Sequence, residues 1–211
     1  MAKIGLSKPY YAKYTENNGN VTYSGGAKIG KAIELNMSLE GQEENNLYAD
    51  NAIAESANSF GGGTLTLTTD DLLPEPMIGI LGVKETEITS EAVKTEGAKW
   101  LVFDDAQDTP YVGFGGIIKA QQGNKTKWIA IVYPKIKFQN TGDAAVTQGE
   151  SIEWQTPELT ATLLRDDTVN HEWRRMSTPL DSEAESEAVI KEFLNITESI
   201  ETMSLKKGET A

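Results

Sequence analysis

Residues Pro110–Phe138, PYVGFGGIIKAQQGNKTKWIAIVYPKIKF, constrain the fold more than any other stretch of this chain. They form its densest apolar run, broken once by turn chemistry at Gly123-Asn124, and read as two strands around a tight turn. Placing the turn at Gln121–Asn124, or at Gly123-Asn124 alone, gives the same face assignment. Val112, Phe114 and Ile118 then share one face with Ile129, Ile131 and Tyr133. Gly113, Gly115 and Ile117 share the other with Trp128, Ala130 and Val132. Both faces are apolar, so the pair needs a cover on each side. One cover is the domain core; the other is either a helix of the same chain or a neighbouring subunit. The bare backbone at Gly113 and Gly115 permits close approach of that second cover. A bulge within the hairpin would reverse the assignment.

The other strand signals pack around this hairpin. Tyr10–Tyr14 is a weak strand, followed by a turn cluster at Asn17–Asn20 and a further short strand at Val21–Tyr23. Lys31–Glu40 alternates strictly, with Ile33, Leu35, Met37 and Leu39 expected on the buried side. Residues 41–62 are polar, acidic and small, and read as a long excursion with at most a weak edge strand. Gly63–Thr69 alternates again, burying Leu65 and Leu67. Asp70 or Asp71 then caps a short helix with Pro74 in its first turn, an apolar stripe of Leu73, Met77, Ile80 and Leu81, and Gly82 at its end. Ala98–Phe103 is a short strand, and Ser151–Leu164 a long one whose phase slips at Pro157. Val169–Met176 offers a last strand. Ser182–Glu185 has capping-box spacing and opens a helix with Val189, Ile190, Phe193 and Leu194 on one side. The fold class is therefore mainly β: an antiparallel β-sandwich or barrel with one flanking α-helix and a short C-terminal helix. Residues 1–195 read as one domain and 196–211 as a polar tail.

Composition narrows function by exclusion. Acidic residues outnumber basic ones 32 to 19, a net charge of −13, which opposes non-specific binding to nucleic acid or anionic membranes. Zero cysteines and a single histidine, His171, remove thiol nucleophiles, zinc-thiolate sites and multi-imidazole metal sites. No apolar run approaches the ~20 residues of a membrane-spanning helix, and MAKIGLSKPYYAKY has no signal-peptide core, so synthesis in a cytoplasm is expected. The acid pairs Asp70-Asp71, Asp104-Asp105 and Asp166-Asp167 read as solvated turns rather than as a glycosidase pair. Gly113–Gly116 lacks the following helix of a dinucleotide fingerprint, and Gly123–Thr126 lacks the pattern of a phosphate loop. Neither an enzyme nor a cofactor is expected.

Several motifs, taken in order, resemble the major tail proteins of long-tailed, non-contractile phages, the subunits of the tail tube. They are MAKIGLSKPYYAKY (Met1–Tyr14), LYAD (Leu47–Asp50), GFGG (Gly113–Gly116), YPKIKF (Tyr133–Phe138) and TQGESIEWQTPEL (Thr147–Leu159). The match spans most of the chain up to about Leu164; nothing is carried onto the residues beyond. The resemblance implies two packed antiparallel sheets or a barrel-like sandwich with a flanking helix. It implies hexameric rings stacked into a hollow tube that conducts DNA during ejection, and a long loop between early strands that orders on assembly, a position matched by residues 41–62. It implies as partners other copies of the chain, a tape measure protein, a tail terminator and tail-tip initiator proteins, with DNA only in transit, no membrane, and a place in the virion. An excess of carboxylates suits a lumen through which DNA slides. The candidate subunit contacts are Leu47, Tyr48, Asp50, Ile53 and Phe60 in the loop, and Gly113, Gly115, Ile117, Trp128 and Val132 on the hairpin. Alternatives are a carbohydrate-binding sandwich of a phage tip, with tryptophans as a sugar platform, and a secretion-system tube protein of the same fold.

Overall fold

A computed structural model describes residues 1–40, 44–49, 52–58, 60–140, 142, 145–147 and 154–197, with backbone only for 44–49 and 52–58. In chain order the elements are β1 (Ala2–Asn17), β2 (Asn20–Lys28), β3 (Ala32–Leu39), β4 (Glu44–Ala49), β5 (Ala52–Asn58), β6 (Gly63–Thr69), α1 (Pro74–Leu81), β7 (Lys84–Glu87), β8 (Lys99–Val102), β9 (Tyr111–Gln122), β10 (Lys125–Phe138), β11 (Glu158–Leu164), β12 (Arg175–Met176) and α2 (Glu183–Phe193).

The β9–β10 hairpin is the centre of the main sheet, whose order is β2-β1-β9-β10-β11-β6-β3, antiparallel throughout. Gln122 pairs with Lys125 across Gly123-Asn124, and Gly123 takes a positive φ of 60°, the conformation a two-residue hairpin turn asks of a leading glycine. The register then runs Ile118 to Ile129, Ile117 to Ala130, Gly115 to Val132 and Phe114 to Tyr133. The expected face assignment holds along this run. A bulge follows between Tyr133 and Ile136, which returns Ile136 and Phe138 to the face of Phe114 and Tyr133. The free edge of β10 is divided: β12 pairs with Ile131 and Val132, and β11 pairs with Lys135–Phe138.

The main core lies on the Phe114 face. The sheet folds over so that β3 comes beside β1, and Leu65, Leu67, Leu159, Ala161 and Leu163 share one cluster with Tyr11, Phe114, Tyr133 and Phe138. Ile80 and Leu81 of α1 enter the same cluster fully buried. Their helix differs from expectation at its start. Leu73 occupies the N-cap with no side-chain cap and is exposed, while Asp71 accepts a hydrogen bond from the Leu72 amide. Gly82 closes the helix in the left-handed conformation.

Four further expectations are corrected. Ile33 is 53% exposed, because a bulge between Ala32 and Glu34 breaks the alternation ahead of the half-buried Leu35, Met37 and Leu39. Residues 44–58 hold a two-stranded ribbon, β4 with β5, in place of a loop with at most one weak edge strand. Of the strand expected over Ser151–Leu164, residues 151–153 lie outside the described residues, 154–157 are irregular and β11 begins at Glu158. Pro157 precedes it, its carbonyl accepting the Thr69 amide, and Trp154 is 85% exposed. Val169–Met176 contributes only the two residues of β12.

Candidate assembly surfaces

The second face of the hairpin is covered by the chain itself. Ser182 accepts the Glu185 amide while the Glu185 carboxylate accepts the Ser182 amide, so the capping box starts α2 where the sequence places it. The helix crosses β9 and β10 with Ile190 and the following Leu194 fully buried against Ile117, Ala130 and Val132. The glycines make this possible. A Cβ at Gly115 would lie 2.6 Å from Ile190 Cγ2, and one at Gly113 would lie 2.5 Å from the Tyr23 ring and 2.7 Å from Leu194 Cδ2. Of the two covers the hairpin allows, the structure holds the helix of the same chain. Gly113, Gly115, Ile117 and Val132 are accordingly interior residues of the subunit, and Trp128 is half-buried, with its backbone bridged to Leu180.

Polar bonds fasten the N-terminal half of that helix. Lys8, at φ 52° beside a bulge in β1, reaches Glu187 at 2.5 Å; the Tyr10 hydroxyl donates to the same carboxylate at 2.5 Å, and Lys191 adds a contact at 2.9 Å. Ser7 donates to Glu183. Burial raises the Glu187 pKa, but bonds from Lys8, Tyr10 and Lys191 outweigh it and hold the carboxyl at about 2. Burial and the Glu187 carboxylate push the Tyr10 phenol up to about 12. Ser186, between these bonds and Ile190, is fully buried with an unpartnered hydroxyl. At the far end Tyr23 packs edge-on to Tyr14 and tilted against Phe193, and Ile196 fills the space over Gly26 and Ala12. Packing thus continues to Ile196.

The candidates in the 41–62 segment divide differently. Leu47 and Tyr48 lie on β4 and Ile53 on β5, with Tyr48 paired to Ile53; Asp50 lies outside the described residues. Among the described residues this ribbon pairs only with itself, and it emerges between the edge strand β3 and its neighbour β6. Phe60 marks its return to the body by stacking on Trp173 at 4.8 Å, with Arg174 against the same ring. A second self-paired ribbon, β7–β8, displays Trp100 at 62% exposure, with Phe103 exposed just after it. Among the described residues the outer edges of β2 and β3 carry no partner strand in the main sheet.

The acid pairs serve as loop fasteners, and one differs from its expected solvated state. Asp166 is buried; one carboxylate oxygen accepts the Thr168 hydroxyl at 2.8 Å and the amides of Glu172 and Thr168 at 2.8 and 3.3 Å. His171 sits in this loop at φ 50°, its Nδ1 3.3 Å from the Asp166 carbonyl oxygen. Asp167 accepts from Tyr14 and Lys135, and Lys135 foremost holds its carboxyl low. Asp70 receives the Lys31 amide, and Asp104 pairs with Lys84. Among the described residues no group of three or more His, Asp or Glu side chains is placed to hold a metal, and no helix is long and apolar enough to cross a membrane. The Lys8–Glu187 bonds are not legible in the sequence because the partners lie far apart in the chain, and the Asp166 loop is not because its bonds to Thr168 and Glu172 follow no turn pattern the sequence announces. Only the Ser182–Glu185 spacing announced part of this region.

No family model matches this chain, and no curated protein matches it significantly.

Proposed function

We propose that this protein is a structural subunit that assembles with copies of itself, in the manner of the tail-tube proteins of long-tailed, non-contractile phages. The observation that carries the reading is the self-paired β4–β5 ribbon, which leaves the body between an edge strand and its neighbour, where the resemblance calls for a segment that engages other copies. The unpartnered edges of β2 and β3 support it, since heterologous contacts between unlike edges generate closed rings. Hexameric rings stacked into a tube for DNA ejection, with tape measure, terminator and tip proteins as partners and the virion as location, follow from the resemblance. The role is non-catalytic.

Electron microscopy of concentrated protein mixed with a tail-tip initiation complex tests the proposal. Hollow tubes of stacked rings are expected. A species that stays monomeric under those conditions refutes it. The exposed Trp100 and Trp154 favour one second reading, a carbohydrate-binding module. Glycan binding that is lost on replacing either residue, in a chain that forms no tubes, would select that reading instead.

A further inference from the structure

The two ends of the β9–β10 hairpin carry opposite charge. Lys125 opens β10 and Phe138 closes it, so the two ends stand roughly 40 Å apart at ~3.3 Å per residue. At the turn end the antiparallel register gathers Lys3, Lys119, Lys125 and Lys127. The strand residues there, 1–6 and 117–129, include no acid. Only Asp181 intervenes, paired with Lys127; Lys3, Lys119 and Lys125 are exposed and make no ion pair among the described residues. The nearby Glu183 and Glu185 are engaged by Ser7 and by the capping box.

The Phe138 end is the reverse. Gln107 donates to both the Leu81 carbonyl and Asn140, which ties the 104–108 loop to α1 and to the end of β10. Glu158 pairs with Thr68, just ahead of Asp71. Asp71, Glu75, Asp105, Asp108 and Glu158 are all exposed there without an ion pair among the described residues, against two such lysines at the mouth of the hairpin, Lys137 and Lys13. In a chain of net charge −13, a tip with three exposed lysines outside any ion pair among the described residues is the exception that needs a partner.

We infer that the basic hairpin tip of one copy docks on the acidic α1 end of the next, giving the assembled chain a direction. The identity of the partner rests on the self-assembly reading above; the charge layout does not. A second copy fits better than nucleic acid, because the acidic remainder of the chain repels phosphates while its own far end presents the complementary carboxylates. Unlike ends in contact make the interface heterologous, and where its rotation does not close a ring the same contact repeats from copy to copy.

Charge exchange tests this. Lys119→Glu/Lys125→Glu gives a copy acidic at both ends, and Asp105→Lys/Asp108→Lys with Glu158→Lys added gives one basic at both. Light scattering and sedimentation are expected to show no end-to-end association of either variant alone. An equimolar mixture should associate at ~10 mM ionic strength, where charges act over ~30 Å, and dissociate near 1 M, where they act over ~3 Å. A mixture that stays monomeric at low salt overturns the inference, as does tip-reversed protein that assembles like wild type. Wild-type tubes with no sensitivity to either set of substitutions would defeat the charge contact and leave the tube reading standing. Salt-sensitive mixed chains that never form tubes would do the opposite.

Discussion

A single methyl group at Gly115 measures how closely α2 lies on the hairpin. The alanine Cβ would sit 2.6 Å from Ile190 Cγ2, about 1 Å inside the ~3.5–4.0 Å at which carbon atoms rest. Ile190 cannot swing away: it is fully buried and β-branched, and its helix is fastened by the capping box and the Lys8–Glu187 pair. Overpacking of this kind costs about 1–3 kcal/mol. Against it, alanine regains about 0.5–1 kcal/mol of the chain entropy that a strand glycine loses. Gly115→Ala should therefore destabilise by roughly 0.5–2 kcal/mol, lowering Tm by about 2–4 °C per kcal/mol for a domain of this size. Ile190→Ala removes the opposing methyl at its own cost of about 2–5 kcal/mol. In that background the clash is gone, and Gly115→Ala should raise stability by about 0.5–1 kcal/mol. Thermal and urea unfolding of the four proteins close the cycle. A loss of the same size in both backgrounds, or a gain in the otherwise wild-type protein, refutes the close approach.

Three other perturbations probe the same architecture. Ser186→Ala deletes a buried hydroxyl without a partner and improves helix propensity, so Tm should hold or rise by an amount worth up to about 1 kcal/mol; a fall of that size would mean that the hydroxyl is bonded. Glu187, held at about 2 against an ordinary 4.5, contributes stability that is complete above pH 4.5 and lost as pH falls through 2, on the order of 3 kcal/mol at most. Urea unfolding of wild type and Glu187→Gln should differ most above pH 5 and converge near pH 2, and parallel pH profiles would contradict the pairing. Deleting residues 43–58 should leave a folded monomer with near-native circular dichroism that forms no tubes, because β4 and β5 pair only with each other; global unfolding would make them part of the core.

What could be read in advance follows from how local each determinant is. The β9–β10 register was legible because a two-residue turn fixes it and both faces are apolar. The same pattern also called for two covers, and the Ser182–Glu185 box located the helix that supplies one of them. Bulges defeated the reading elsewhere. One between Ala32 and Glu34 turned Ile33 outward, and one between Leu47 and Tyr48 disrupts the alternation that would have announced β4. Pro157 was read as a slip inside a strand, whereas it stands just before one. Asp166 looked like any acid in an acidic chain, since its burial depends on amides and a hydroxyl gathered by a loop closing on itself. Of the ten candidate contact residues, four lie inside the subunit, Ile117 and Val132 by their apolarity and Gly113 and Gly115 by their bare backbone, because neither property distinguishes a partner chain from the chain's own α2.

That helix follows the hairpin late in the chain, with a consequence for biosynthesis. The hairpin is complete once Phe138 has been made, yet its second cover arrives with Ile190 and Leu194, some fifty residues later. At about 5–20 residues per second the ribosome leaves Ile117, Ala130 and Val132 uncovered for several seconds. β1 also waits for β9, and β6 for β11, pairings that each span roughly a hundred residues and slow folding. The hairpin is thus sealed only when α2 docks, and a chain terminated near residue 180 carries the complete hairpin with one apolar face open.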